Sequence, residues 1–569
     1  MSRHVLAVLV TFCLGLVACG PTETPQPASR DTAATLQGRA LRIMLRNEVD
    51  NLAVKVIGPN APERTRRMFN AELVQYDGQG IVRPYLAESI PVLNTPSWQV
   101  FPDGRMETTY RLRPGLTWHD GAPLTAEDFV FAWQLYASPA LGMFTPTPQT
   151  LIDQVSAPDA LTVAIDWNAT YPQAGSLDND LLPPLPHHLL DGLAARIDDP
   201  SGRDAFVTST FWTTDYVGAG PYRLTRWEAG YEMEGAAFDG HALGKPRIER
   251  IVARIMNDEN AALTALLAGD EDYAEGFVLQ FEHAQVLEQD WVPSGRGVAL
   301  VFPDATSNQA VQFRPEFQKS APLLDLRVRQ AMAYAIDREA INQGVFSGKG
   351  SISETYVMPQ HPTFSLVDRA ITKYPFDPRR AEQLMNEAGL VKDADGLFAK
   401  NGERFRPDYW ITAGTQSERA GAIISDTWQR AGIDNALSVL PLTAGRDNEV
   451  RATFPGLTQI GLSSRDDAVS AFISSQIGTA ANRWRGSNRG GWSSPEADRL
   501  YEAFNSTLDP DERTRSWVEL AKLVSDQLPI FVFYPNIRVR AFTSALRGPD
   551  IGSPNTLPKW NMQDWTWVS

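Results

Sequence analysis

Several residues have the types and spacings from which chemistry could be built. His187 and His188 stand side by side, and two imidazoles can hold a borderline metal when thiolates or further imidazoles complete the set. No cysteine or histidine cluster surrounds them, so the pair reads as part of a turn. Asp393-Ala394-Asp395-Gly396 opens like a calcium loop, but Asn401, Gly402 and Glu403 miss the register at which a twelfth, acidic ligand must close it. A glycine turn between two strands is the better reading. Gly218-Ala219-Gly220 lacks the third glycine of a phosphate cradle and runs into Pro221. The GVFSGKG stretch from Gly344 to Gly350 sets its glycines too close for a P-loop, with no Ser or Thr after Lys349. The Gly-x-Ser-x-Gly elbow and the His-Glu-x-x-His helix are missing, and no cysteine lies beyond Cys19. Carboxylates are plentiful, which keeps an acid-acid hydrolase open as the enzymatic alternative.

Binding chemistry concentrates between Gln459 and Trp492. Arg465, Asp466 and Asp467 put a guanidinium beside two carboxylates, so the acids could hold an ammonium group, or Arg465 could neutralise them or attract a carboxylate itself. Further on, Trp484, Arg485, Asn488 and Trp492 bring aromatic faces close to guanidinium groups. Aromatic faces suit stacking on rings, and arginines suit carboxylates. Loop packing accounts for the same residues singly. Trp410, at the end of an expected strand, is a candidate for either a cleft or a core.

These residues need a scaffold. At 569 residues the chain exceeds one core, and a 43% hydrophobic content can fill two lobes or more. The net charge of -16 excludes a nucleic-acid partner, whose phosphates would be repelled. Both cysteines, Cys13 and Cys19, lie in the first twenty residues. There Arg3 precedes an apolar stretch, Val5 to Val17, too short to span about 30 Å of hydrocarbon. It ends in Leu16-Val17-Ala18-Cys19, which resembles a lipobox whose cysteine is lipidated. Residues 1–18 are thus expected to be a signal peptide and 19–39 a lipidated tether rich in Pro, Thr and Ala.

The rest reads as alternating strands and capped helices. Ala40 to Leu45 and Leu161 to Trp167 read as strands, and Tyr76-Asp77-Gly78 marks a turn between two short apolar runs. Tyr110 to Gln134 (YRLRPGLTWHDGAPLTAEDFVFAWQ) opens as a strand and breaks at Pro114-Gly115. It then starts a helix at Thr125 through a box with Asp128, with a face at Ala126, Phe129, Val130 and Trp133. Asp258 caps a helix that Gly269 stops, and Asp270 to Tyr273 follows either as an acidic end to that helix or as a solvated acidic turn. Asp325 starts a single helix, RVRQAMAYAIDREAI. Asp377-Pro378, Ser494-Pro495 and Asp509-Pro510 start three more, with proline at the first helical position. Leu528 to Tyr534 is an apolar strand.

The string from Tyr110 to Gln134 closely resembles the signature of the family 5 extracellular solute-binding proteins, the receptors of peptide and nickel ABC importers. LRVRQAMAYAID, DPRRAEQLMNEAGL, the Gly220-Pro221-Tyr222 turn and Leu185-Pro186-His187 resemble further strings of that family, in order from about Leu41 to Tyr534. The resemblance implies an α/β, two-lobed, class II periplasmic-binding-protein-like fold, with an extra subdomain in the first lobe and a hinge of two crossing strands. Lobe one would comprise residues 40–280, with an inserted subdomain at about 67–190. Lobe two would comprise 281–535, and 536–569 would return to lobe one. The implied function is reversible capture of a peptide or similar small polar solute, handed to ABC permease subunits by a monomer held outside the membrane through its N-terminal lipid. No cofactor or metal is implied. An extracytoplasmic enzyme on a related scaffold, or a binding protein serving a sensor, are the alternatives. Many peptide-binding relatives carry a tryptophan, an aspartate-tyrosine pair and a proline where this chain has Gly461 to Asp467. The resemblance therefore leaves Asp466 or Asp467 as the amine anchor and does not name the solute.

Overall fold

The computed structural model describes residues 38–55, 62–141, 148–178, 181–463, 465–553 and 556–568; the lipobox expectation at Cys19 lies outside them. Period-2 patterning produces one ten-stranded sheet that runs through both lobes. Its order is Ala436–Leu440, Asp408–Thr412, Leu457–Ser463, Gly297–Val311, Ile530–Thr543, Tyr273–Leu279, Leu41–Leu45, Arg250–Ile255, Glu232–Ala237 and Tyr222–Glu228. The two long strands in the middle, Gly297–Val311 and Ile530–Thr543, pair antiparallel from Gly297↔Thr543 to Ala310↔Ile530. At one end they join the strands of the first lobe and at the other those of the second, so they are the only sheet elements among the described residues shared by both.

Alternation along these strands splits the second-lobe core in two. Tyr409, Ile411, Phe531 and Phe533 face one apolar cluster with Trp428, while Ile530 and Val532 face another with Trp517 and Trp492. Each fully buried aromatic of this kind contributes on the order of 2–3 kcal/mol. The first-lobe core is continuous with a separate four-stranded sheet, ordered Trp98–Val100, Met106–Arg111, Thr162–Trp167 and Ile152–Asp159.

The expected caps form. Asp258, Asp377, Ser494 and Asp509 each accept a backbone N–H of the helix they start, and Gly269 ends its helix at φ +80°. Three expectations need correction. RVRQAMAYAIDREAI is not one helix but two, Leu326–Tyr334 and Arg338–Phe346, because Asp337 accepts from Ala340 N and starts a new one. In the helix Ala126–Ala137 the buried stripe is Ala126, Phe129, Ala132, Leu135 and Tyr136, with Val130 and Trp133 at its shoulder. The acidic turn after Gly269 is not a solvated one: Glu271 and Asp272 are buried, paired with Arg254 and with Arg39 and Arg42.

Candidate functional site

Three adjacent strands present alternate residues to one place where the lobes meet. Glu275 and Phe277 come from Tyr273–Leu279, Phe302 and Asp304 from Gly297–Val311, and Arg538 and Arg540 from Ile530–Thr543. They line a cavity of about 120 Å³, closed on the first-lobe side by Ile551, Ser553, Thr556 and Leu557 and on the second-lobe side by Met358, Gln360, Ser463 and Arg465. The i, i+2 spacing puts both members of each pair on one sheet face.

The charges in this cavity hold one another. Lys559 Nζ donates to Glu275 Oε2, and Arg540 Nη2 stands 3.7 Å from Oε1 of the same carboxylate. Burial pushes the Glu275 carboxyl up, but Lys559 and Arg540 outweigh it and hold the group below its ordinary value. Arg538 Nε donates to Asp304 Oδ2 at 2.9 Å, and its guanidinium lies over the Phe277 ring. Each carboxylate of this floor is met by a cation, and three cations stand against two carboxylates, so a guest meets a prearranged site with positive charge in excess.

A second polar group sits in the first lobe. Arg67 donates to Glu72, and Arg67 Nη2 is 4.0 Å from Asp178 Oδ2; all three side chains are buried. Tyr216 Oη donates to Asn70 Oδ1 beside them. Asp178 is pushed well above the carboxylate range by its burial and then by Glu72, while Arg67 and the second-lobe Arg465 pull it back.

Of the residues expected to bind, Arg465 lines the cavity. Asp466 and Asp467 begin the short turn Asp466–Phe472, and their side chains lie outside the described residues. The others lie elsewhere in the structure. Trp410 is half-buried against the second-lobe apolar cluster and does not line this cavity. Trp492 is 7% exposed and belongs to that cluster. Asn488 is a staple: its Nδ2 donates to Ile473 O at 3.0 Å and Trp492 O at 2.7 Å. Trp484, at φ +61°, meets the edge of Phe317, and Arg485 is half-buried beside it. The physical reason is backbone demand. The loop from Ile473 to Trp492 has no long regular element of its own, so Asn488 and Arg314, which donates to Gly478 O and Arg489 O, satisfy its carbonyls.

Other motifs also resolve into structure. His187 Nδ1 is 2.8 Å from Asp128 Oδ1 and His188 Nε2 is 2.8 Å from Asp120 Oδ2, so each histidine is held by a carboxylate. Asp393 accepts from Asp395 N and Leu397 N and is paired with Arg404, which forms the expected turn between Val391–Lys392 and Phe398–Lys400. A Cβ on Gly218 would lie 2.0 Å from Phe69 O, which explains the glycine-rich approach before Pro221.

Glu275, Asp304, Arg538 and Arg540 escaped the sequence reading. Their signal was present: RVRAF places two arginines two apart in an apolar strand, where one sheet face must accommodate both. Asp178 and Glu72 gave none, since an acid among loop residues is ordinarily solvated.

The family model of bacterial extracellular solute-binding proteins, family 5 Middle, matches residues 82–482 of this chain. The oligopeptide-binding protein AppA of Bacillus subtilis (strain 168) is 23% identical over 541 residues, covering 93% of each chain. Among solved structures, the oligopeptide-binding protein from Thermus thermophilus complexed with a pentapeptide superposes with a TM-score of 0.79 at 22% identity, covering 94% of this chain and 97% of that one. NikZ from Campylobacter jejuni in complex with Ni(L-His) gives 0.76 at 21% identity, covering 93% and 99%. The shared fold is two-lobed.

Proposed function

The chain belongs to the bacterial extracellular solute-binding proteins of family 5, and we propose that it is the receptor of an ABC importer, capturing a peptide or similar small polar solute between its lobes. The observation that carries this reading is the cavity at the crossing of Gly297–Val311 and Ile530–Thr543, whose walls come from both lobes. A guest there touches both halves at once, so its binding energy favours the shut state that a permease recognises. Supporting the peptide reading, the relative from Bacillus subtilis is named an oligopeptide-binding protein, and the Thermus thermophilus structure holds a pentapeptide.

On this reading lobe one is residues 40–280 with an insertion at about 67–190, lobe two is 281–535, and 536–569 returns to lobe one. Arg465 touches the solute, with Asp466 or Asp467 as the amine anchor. Residues 1–18 are removed, and Cys19 carries the lipid that tethers a monomer outside the membrane. No helix among the described residues is long and apolar enough to cross a membrane.

The test is mass spectrometry of small molecules released by denaturing freshly purified protein, followed by small-angle scattering with and without the compound found. Released peptides, with a smaller radius of gyration on rebinding, are expected. Superimposable scattering curves, or conversion of the compound by the pure protein, would overturn the receptor reading. Loss of fatty-acid labelling in Cys19→Ala tests the tether.

A further inference from the structure

Most buried arginines among the described residues are held by acids or carbonyls. Arg67 has Glu72, Arg540 has Glu275, Arg329 donates to Leu323 O and Gln527 O, and Arg338 donates to Val532 O and Tyr374 O. Among the described residues Arg66, in the first lobe, and the half-buried Arg451 and Arg489, in the second, make no such contact. Arg314 Nη2 donates to both Ala452 O and Arg489 O, which brings the two second-lobe backbones together, and neither Arg451 nor Arg489 makes a side-chain hydrogen bond or ion pair among the described residues. Nη1 of Arg489 is buried with no hydrogen-bond partner among the described residues. Burial and then Arg451 push Arg489 down to about 9, and burial alone pushes Arg451 down. Of the acids nearest in sequence, Glu449 is exposed and makes no ion pair among the described residues, and Asp447 is committed to Glu449 N and Val450 N of its own helix.

Two half-desolvated cations side by side cost free energy unless an anion joins them. One further group marks the spot. Asn448 is three residues before Arg451 in the helix Asn448–Ala452, so the two share a face. Its Oδ1 is buried without a hydrogen-bond donor.

The place is remote from the solute cavity. Phe313 N donates to Gly490 O and Arg314 Nη2 to Ala452 O, so both arginines belong to the end of the crossing strand near Val311. The cavity is lined by Phe302 to Asp304 of the same strand, and seven residues of strand separate Asp304 from Val311, roughly 23 Å.

We propose that Arg451, Arg489 and Asn448 form a second binding site, in lobe two and separate from the solute cleft, for a dianionic phosphate. The two guanidiniums match its two charges and fork toward its oxygens. The hydroxyl that hydrogen phosphate retains donates to Asn448 Oδ1, which sulfate, lacking a proton at neutral pH, cannot do. The phosphate is the free ion, because the dianion of a monoester retains no such hydroxyl.

The test is thermal unfolding and calorimetry of the full chain at neutral pH with inorganic phosphate, glycerol 3-phosphate and sulfate, against sodium chloride of equal ionic strength. Inorganic phosphate is expected to raise Tm above the chloride control and to bind more tightly than glycerol 3-phosphate, whose dianion has no P–OH; a tighter ester overturns the assignment to the free ion. Arg489→Gln is expected to raise Tm without phosphate, by removing the repulsion, and to weaken phosphate binding by about tenfold or more. Arg451→Gln should behave alike and serves if the first variant does not fold. A phosphate shift no larger than that from chloride, or one that survives both substitutions, overturns the site. Sulfate binding as tightly as phosphate overturns the role of Asn448.

Discussion

Lys559 and Glu275 form an ion pair whose two side chains are at most 5% exposed, joining the C-terminal tail to a first-lobe strand beneath the solute cavity. Neither is near the other in sequence. The pair shows how this protein makes a polar cleft without leaving the carboxylate unmet, since Arg540 stands at the other carboxylate oxygen.

Removing one partner of this pair should be costly. Lys559→Met is expected to destabilise by about 3 kcal/mol, because a buried carboxylate is left with one distant cation. Lys559→Met with Glu275→Gln should recover part of that loss. Urea midpoints of the two variants and the parent check this, and a double variant weaker than the single one contradicts it.

Acid should unfold the protein through two imidazoles. His119 accepts from Gly218 N on Nδ1 and donates from Nε2 to Gly220 O, which requires the neutral ring. His241 likewise accepts from Tyr85 Oη on Nε2 and donates from Nδ1 to Gly244 O. Burial depresses both to about 4. Since the folded value lies below the unfolded one, the stability they contribute is whole above about pH 6.5 and is lost as pH falls towards 4, at about 3 kcal/mol each. Chemical denaturation from pH 7.5 to 4 measures it, and His119→Gln should flatten the slope.

Asp178 should show the opposite sign. Its folded-state value is raised, so its cost is absent at low pH and appears as pH rises past the ordinary carboxylate range. Asp178→Asn is therefore expected to raise Tm more at pH 8 than at pH 5. Equal shifts at both pH values would contradict the electrostatic account.

Arg465 and Asn488 should separate binding from folding. Arg465→Ala, at the cavity wall, is expected to weaken the released solute by about tenfold while leaving Tm nearly unchanged. Asn488→Ala removes two hydrogen bonds to buried loop carbonyls, costing about 1–3 kcal/mol, and should leave solute affinity as it was. Titration calorimetry beside thermal melts gives both readouts.

Much of this architecture was legible in the chain itself. Asp258, Asp377, Ser494 and Asp509 announce helices because capping is a contact between residues two or three apart, and period 2 announces Thr162–Trp167 because a half-buried strand has only two faces. The break at Asp337 was written in the same language but was hidden by an unbroken run of good helix formers around it.

The cleft was decided elsewhere. Trp492 and Arg465 look equally suited to a ligand as residue types, yet one fills a core and the other lines the cavity, because the staple at Asn488 turns the loop inward. Local order, cap by cap and strand by strand, follows from near neighbours and is contained in the sequence. Which charges meet at Glu275, and which arginines are left facing each other at Arg451 and Arg489, depends on segments hundreds or tens of residues apart being brought together, and that only the tertiary structure settles.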